Sequence, residues 1–166
     1  MVVCHLKQTN LKRITVKKGQ ILQRAGDLNT KFFQVESGLL RSYSIDKKGK
    51  EHIYQFAPEN WVIADATPND EPCDLFIDCL EDSIIIQLEK DFDTLSNDPL
   101  KLAKRLKVLQ KRIVMLMSSV AIERYEYFIT TYPSIIQRVP QRMIASYLGI
   151  TPEALSRVRK EISLRK

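Results

Sequence analysis

The apolar residues of the chain change their spacing near its middle. Over residues 11–90 they come in short runs between turn residues, which predicts the strands of a β sandwich or barrel. The seven predicted strands read "LKRITV", "QILQ", "KFFQVES", "LLRSYSI", "EHIYQFA", "LFIDCL" and "SIIIQL". Glycines separate several of them, and "DKKGK" at residues 46–50 predicts a hairpin turn.

A helical spacing follows from residue 98 onward. Asp98 and Pro99 are typical of a helix start, and neither glycine nor proline interrupts the pattern that follows. Six apolar residues recur at alternating intervals of four and three: Leu102, Leu106, Leu109, Ile113, Leu116 and Val120. This arrangement is typical of a seam along which two helices pair, so it predicts a parallel homodimer. The alternative is a helix that packs only on its own domain.

Two serines then interrupt the apolar pattern. Ser118 and Ser119 weaken the helix, and residues 121–133 resume as an amphipathic helix that ends at Pro133. We therefore interpret residues 118–121 as a hinge, with one continuous helix that tolerates two serines as the alternative.

The last part of the chain contains two short helical patterns joined by a glycine turn. The first opens at Pro140 and Gln141 and stops at Gly149, because glycine takes the left-handed cap conformation without strain. Thr151 is a good N-cap for the second pattern, "TPEALSRVRK". Small Ala145 and apolar Leu155 suit a close crossing of the two helices. This predicts a helix-turn-helix, with a plain helical hairpin as the alternative.

The second helix of such a unit enters the major groove of DNA, so its polar face would meet the bases. Arg157 can donate two hydrogen bonds to guanine, and Glu153 can accept one from cytosine. Ser156 could contact a base or a phosphate. Three further side chains are placed for phosphate contacts: Gln141, Thr151 and Lys160. The alternative is a solvent-exposed helix with a pair between Glu153 and Arg157.

Charge is divided unevenly along the 166 residues. Residues 1–100 hold 12 Lys and Arg against 16 Asp and Glu, and residues 101–166 hold 14 against 4. A basic C-terminal part on an acidic N-terminal part is typical of a nucleic-acid module attached to another domain. We also expect a cytoplasmic protein, because no uncharged run is long enough to span a membrane and the first residues do not form a signal peptide.

The cysteines and histidines argue against metal and redox chemistry. Cys4, Cys73 and Cys79 have no metal-ligand spacing and are expected to be reduced structural thiols. An enzyme of the metal-binding cupin type is disfavoured because only His5 and His52 are present. We expect no enzyme activity, no metal and no cofactor.

With these motifs in place, the whole chain resembles the cyclic AMP receptor/fumarate-nitrate regulator (Crp/Fnr) family. The resemblance covers about residues 12–163 and is most specific in "ERYEYFITTYPSIIQRVPQRMIASYLGITPEALSRVRK", which is similar to a branch common in Bacteroidetes. It implies an α+β fold with three parts. Residues 1–97 would form a cyclic-nucleotide-binding-like β-roll (a double-stranded β-helix), 98–121 a long dimerisation helix and 122–166 a helix-turn-helix.

The resemblance also implies a function. Glu153, Ser156 and Arg157 match the family's E-x-x-S-R recognition motif, which implies inverted-repeat sites with half-sites of the TTGA type. The implied function is a homodimeric transcription regulator that binds double-stranded DNA, with RNA polymerase as a further partner and no membrane. The alternative is a β-roll adaptor that acts through a protein partner on an acidic surface at residues 65–82.

Two departures from the family pattern change the expectation. Cyclic-nucleotide binders hold the phosphate with a Gly-Glu pair and a later arginine, and both are missing from "PENWVIADATPNDEPCDLFIDCLED". A phosphate would instead meet five carboxylates: Asp65, Asp70, Glu71, Asp74 and Asp78. Cyclic AMP is therefore not an expected ligand, and no other effector is assigned. Many relatives also carry a two-stranded wing after the recognition helix, so we expect a wingless unit in which "KEISLRK" supplies basic charge.

Overall fold

The computed structural model describes residues 11–90 and 99–165, except for the side chains of residues 99, 101, 102 and 105. The chain divides into two compact units, Met1–Asn97 and Asp98–Lys166. The first contains strands and the second helices, as the change of apolar spacing predicts.

The described residues of the first unit form eight strands: β1 (Lys12–Val16), β2 (Ile21–Gln23), β3 (Lys31–Ser37), β4 (Leu40–Ile45), β5 (Glu51–Ala57), β6 (Val62–Ile63), β7 (Phe76–Cys79) and β8 (Ser83–Glu89). They form two four-stranded antiparallel sheets, ordered β1-β8-β3-β6 and β2-β7-β4-β5. Because strands close in sequence are distributed between the two sheets, the unit is a β-roll.

Alternating side chains of the strands fill the interior of the roll. A buried cluster includes Phe33, Val35, Ile63, Ile77 and Ile85, and the side chain of Trp61 packs against it. Burial of this apolar surface is the main driving force for folding the unit.

All seven predicted strands are confirmed within one or two residues, and the predicted hairpin turn lies between β4 and β5. The sequence reading missed β6, because a two-residue strand is too short to show alternation. Gly38, between β3 and β4, has a φ of +98°. A Cβ there would lie 2.1 Å from Ser83 Oγ, so the turn requires glycine.

Within residues 99–165 the second unit contains four helices: α1 (Pro99–Ser118), α2 (Ala121–Thr131), α3 (Gln141–Leu148) and α4 (Pro152–Leu164). The break between α1 and α2 lies at residues 119–120, inside the predicted hinge, so the continuous-helix alternative is wrong. Among the described residues, none of the helices has the length and apolar character to cross a membrane.

An aromatic cluster joins α2 to α3. The ring of Phe128 lies 5.4 Å from that of Tyr132 and 5.5 Å from that of Tyr147, measured between centroids. Tyr132 and Tyr147 meet edge to face at 5.5 Å. The guanidinium of Arg112 on α1 covers the Tyr147 ring at 4.2 Å, so α1 also packs against α3.

Candidate functional site

The turn between α3 and α4 has the predicted cap chemistry. Gly149 takes a left-handed conformation, with φ of 63° and ψ of 33°, and the N–H of Ile150 donates to the carbonyl of Ala145 at 3.0 Å. Thr151 Oγ1 accepts from the N–H of Ala154 at 3.2 Å, which caps α4. The chain therefore stops one helix and starts the next within three residues.

Helix α4 has an apolar face and a polar face. Leu155 and Val158 are buried on the apolar face, and Ala145 of α3 is buried as well. Four polar residues of α4 are exposed: Glu153, Ser156, Arg157 and Lys160. The α4 residues that the sequence predicts to contact DNA are thus all exposed on one helix, and the buried side of that helix packs within the unit.

Local hydrogen bonds stabilise the negative charge of Glu153. Hydrogen bonds from its own backbone N–H and from the Thr151 hydroxyl lower the pKa of the Glu153 carboxyl, and the positive charge of Arg157 adds to this effect. Glu153 therefore stays ionised at neutral pH and can act only as an acceptor.

The residues predicted to contact phosphate have different surroundings. Gln141 is exposed at the first position of α3, and Lys160 is exposed near the middle of α4. The hydroxyl of Thr151 accepts from the backbone of Ala154 and donates to the Glu153 carboxylate, so a phosphate would have to replace Glu153 as its acceptor.

Helix α1 carries an exposed apolar stripe, which we define as Leu106, Ile113 and Met117, and the exposed Val120 of the predicted seam lies in the break after α1. Leu106 is 58% exposed, Ile113 56% and Met117 80%. Two other seam residues, Leu109 and Leu116, are half-buried within the unit, and the side chain of Leu102 lies outside the described part. The exposed stripe therefore includes Met117, which the alternating pattern omitted.

The loop between β6 and β7 corresponds to the segment that lacks the phosphate-binding residues. Asp65 is only 3% exposed, and its carboxylate accepts hydrogen bonds from this same loop. The backbone N–H of Thr67 donates to Oδ1 at 2.7 Å, and those of Asp74 and Leu75 donate to Oδ2 at 3.2 and 3.1 Å. The Thr67 hydroxyl donates to Oδ1 as well. The Asp65 carboxylate therefore occupies three backbone N–H donors of the loop.

Lys90, just after β8, lies beside this loop although it is distant in sequence. Its ammonium donates to the carbonyl of Thr67 at 3.1 Å and to the hydroxyl of Thr30, and the residue is 5% exposed. Burial lowers the pKa of Lys90, and the negative charge of Asp65 opposes that shift. The sequence reading missed this residue because it follows a different strand.

The acidic run does not form one surface. Asp70, Glu71 and Asp74 are exposed, whereas Asp65 is buried. Asp78 is buried too and accepts two hydrogen bonds from Arg41, at 2.8 and 2.9 Å. The partner surface expected at residues 65–82 is thus reduced to part of its carboxylates.

Cys73 and Cys79 are buried free thiols, and Cys4 lies outside the described residues. Burial raises the pKa of Cys79 to about 12 and also raises that of Cys73. Both therefore stay protonated at neutral pH, and the protonated thiol is the unreactive form of cysteine.

Comparison with known proteins agrees with this architecture. The family model described as the cyclic nucleotide-binding domain matches residues 13–95, which is half of the chain. The chain belongs to the cyclic nucleotide-binding domain family. In this member of the family, the buried Asp65 lies in the loop between β6 and β7.

The relatives extend the likeness beyond that domain. The anaerobic regulatory protein of Aggregatibacter actinomycetemcomitans is 30% identical, over 86% of this chain and 63% of its own length. The fumarate and nitrate reduction regulatory protein of Vibrio cholerae is 28% identical, over 92% of this chain and 69% of its own length. The chain therefore spans less than two thirds of the first of these relatives.

Solved structures share the fold at low identity. FixK2 from Bradyrhizobium japonicum superposes with a TM-score of 0.78 at 18% identity, over 95% of this chain and 86% of that one. A CRP/FNR-family transcriptional regulator from Thermus thermophilus gives 0.75 at 15% identity, over 93% and 87%. The predicted resemblance to the Crp/Fnr family, and the predicted α+β fold, are confirmed.

We predict that Asp65→Asn weakens the first unit at neutral pH by about 1–3 kcal/mol, because an amide cannot accept from all the loop donors that the carboxylate satisfies. Burial raises the pKa of Asp65, but the hydrogen bonds from Thr67 and Asp74 and the charge of Lys90 outweigh it and lower the pKa overall. The stabilisation is then present above the ordinary Asp pKa of about 4 and is lost as pH falls through the lower folded value.

Urea unfolding followed by the fluorescence of Trp61, the one tryptophan of the chain, reports on this unit. The difference between wild type and Asp65→Asn should shrink as the pH is lowered from 7 to below the ordinary Asp pKa of about 4. Asp74→Asn is the matched control, since Asp74 is exposed in the same loop. Equal effects of the two variants at pH 7 would contradict the assigned role of Asp65.

Proposed function

We propose that this protein is a homodimeric, sequence-specific DNA-binding transcription regulator of the Crp/Fnr type. The observation that carries the proposal is helix α4. Its apolar side is buried through Leu155, and its opposite side exposes Glu153, Ser156 and Arg157, which match the family's recognition motif. The relatives with regulatory names support the same conclusion.

The exposed residues fit the chemistry of base recognition. The guanidinium of Arg157 provides two donors in a plane, which suits the two acceptors of guanine in the major groove. Ionised Glu153 suits the amino group of cytosine, and Ser156 can contact either a base or a phosphate. Gln141, Thr151 and Lys160 would hold phosphates and thereby set the position of α4. Such a regulator works in the cytoplasm, where it meets DNA and RNA polymerase.

The exposed stripe of α1 supports a dimer. Its three apolar side chains repeat along about three turns of the helix, and pairing with a second copy would remove them from water. A two-fold dimer presents two recognition helices about 34 Å apart, so its site would be an inverted repeat with half-sites one helical turn apart.

The β-roll supports independence from cyclic nucleotides. A cyclic phosphate is an anion that needs donors and positive charge. Here the donors of the loop between β6 and β7 already serve the Asp65 carboxylate, and the nearby Lys90 ammonium is bound to Thr30 and Thr67. The fold of the domain is thus kept while the phosphate site is replaced by internal contacts.

The test of DNA reading uses a site selected from random-sequence DNA, followed by a series of base substitutions at fixed salt. We expect Arg157→Ala to cost roughly 1–3 kcal/mol per half-site and to relax preference at one base pair, because a bidentate contact carries both affinity and discrimination. Lys160→Ala is the matched control. It should weaken binding about equally on all sequences and flatten the salt dependence by about one unit.

A uniform loss of affinity in Arg157→Ala, with the sequence preference of wild type unchanged, would show that Arg157 is a phosphate contact or a surface residue. The absence of any selected site in wild type would contradict the proposed function itself.

The dimer is tested by sedimentation of wild type and a double variant, Ile113→Lys with Met117→Lys. Lysines on the stripe would bring positive charges together in an apolar seam, so we expect the dimer to weaken by at least roughly a hundredfold. Val108→Lys is the control, because Val108 is also exposed but lies about 200° around the helix from Leu106. A monomeric wild type, or a double variant that remains dimeric, would be incompatible with this interface.

For cyclic nucleotides, we expect isothermal calorimetry of the wild type to show no saturable heat with cyclic AMP or cyclic GMP up to about 1 mM. The reason is that the loop between β6 and β7 contains no arginine, and that three of its backbone N–H groups already donate to the Asp65 carboxylate. Binding in the micromolar range would refute the claim.

A further inference from the structure

The break between α1 and α2 leaves backbone groups that a continuous helix would pair. In such a helix the N–H of Val120 would donate to the carbonyl of Leu116, and that of Glu123 to the carbonyl of Ser119. Here the N–H of Val120 donates instead to the Glu123 carboxylate at 3.2 Å. The carbonyls of Leu116 and Ser119 therefore need other donors.

One side chain supplies both of those donors. Arg124 on α2 donates from Nε to the carbonyl of Ser119 at 2.9 Å and from Nη2 to the carbonyl of Leu116 at 2.8 Å. These carbonyls lie at the C-terminal end of α1, where the helix dipole favours a positive charge. The break is thus held in one conformation by the consecutive residues Glu123 and Arg124.

The same guanidinium reaches the helix-turn-helix. Its Nη1 donates at 3.1 Å to the carbonyl of Leu148, the last residue of α3, and lies 3.6 Å from the position that a Cβ of Gly149 would occupy. Gly149 is the turn that leads into α4. A single planar group therefore joins the end of α1, the start of α2 and the turn before the recognition helix.

From this geometry we infer that Arg124 is the positioning residue that sets the distance between the two recognition helices of the dimer, and hence the half-site spacing that the protein selects. The inference rests on the proposed function. The two-fold axis would run along α1, so a rotation at the α1–α2 break moves each α4 relative to that axis. We call the three hydrogen bonds of Arg124 the clamp. If the clamp holds α1 and α2 at one angle, the two recognition helices have one separation and fit one half-site spacing.

The test measures binding of full-length variants to inverted repeats whose central spacer is the selected length, one base pair shorter or one base pair longer. In Arg124→Leu we expect the preference for the selected spacer to fall roughly tenfold. In Arg124→Lys we expect a fall of at least roughly threefold, because an ammonium keeps the charge but not the planar fork that reaches three carbonyls.

Ile135→Val is the control for an effect of lost stability alone. Ile135 is fully buried in the same unit, and Arg124 donates to the carbonyls of other residues. This variant should therefore lose stability without changing its spacer preference. A second readout needs no DNA. Ser163 is exposed near the end of α4, so Ser163→Cys in a Cys4→Ser background can carry a spin label on each protomer. The label-to-label distance should have a narrow distribution in the dimer with Arg124 and a broad one in both Arg124 variants.

The outcomes separate the two proposals. If wild type selects no site, the proposed function fails. If wild type selects a site but the Arg124 variants keep its spacer preference and a narrow label distance, the inference is overturned while the function stands. Loss of the folded unit in both variants would also overturn it, because Arg124 would then be required for folding rather than for spacing.

Discussion

Backbone groups that lose their regular partners must find others, and this constraint shapes both units of the protein. Wherever a strand or helix stops, its free N–H and carbonyl groups cost free energy if they are buried unpaired. The loop between β6 and β7 solves the problem with the Asp65 carboxylate, which accepts from three backbone N–H groups. The α1–α2 break solves it with the Arg124 guanidinium, which donates to three carbonyls.

These two solutions have opposite consequences for function. In the β-roll, the buried Asp65 carboxylate occupies backbone donors of the loop between β6 and β7, which underlies the proposal that the domain does not depend on a cyclic nucleotide. In the helical unit, the Arg124 guanidinium connects α1 to the turn that precedes α4. The first contact lies within one loop of the β-roll, and the second connects three segments of the helical unit.

Packing holds helix α4 through its apolar side. Leu155 and Val158 bury one side of α4, and the aromatic cluster of Phe128, Tyr132 and Tyr147 supports α3. The Arg112 guanidinium on the Tyr147 ring adds a contact from α1. The exposed residues Glu153, Ser156 and Arg157 make none of these packing contacts, so the apolar side of α4 is held independently of them.

The sequence by itself determined the features that depend on local periodicity and cap chemistry. The alternation of apolar residues located seven strands, the glycine and threonine at positions 149 and 151 located the turn, and the two serines marked the helix break. Only the tertiary structure decided the rest, because it brings distant residues together. Lys90 meets Thr30 and Thr67 across the roll, and Arg124 meets Leu148 across the turn. Neither contact has a spacing that a linear pattern could reveal. The burial of Asp65 likewise follows from how its loop folds back on it, since a carboxylate in an acidic run has no local signal that separates an inward from an outward side chain.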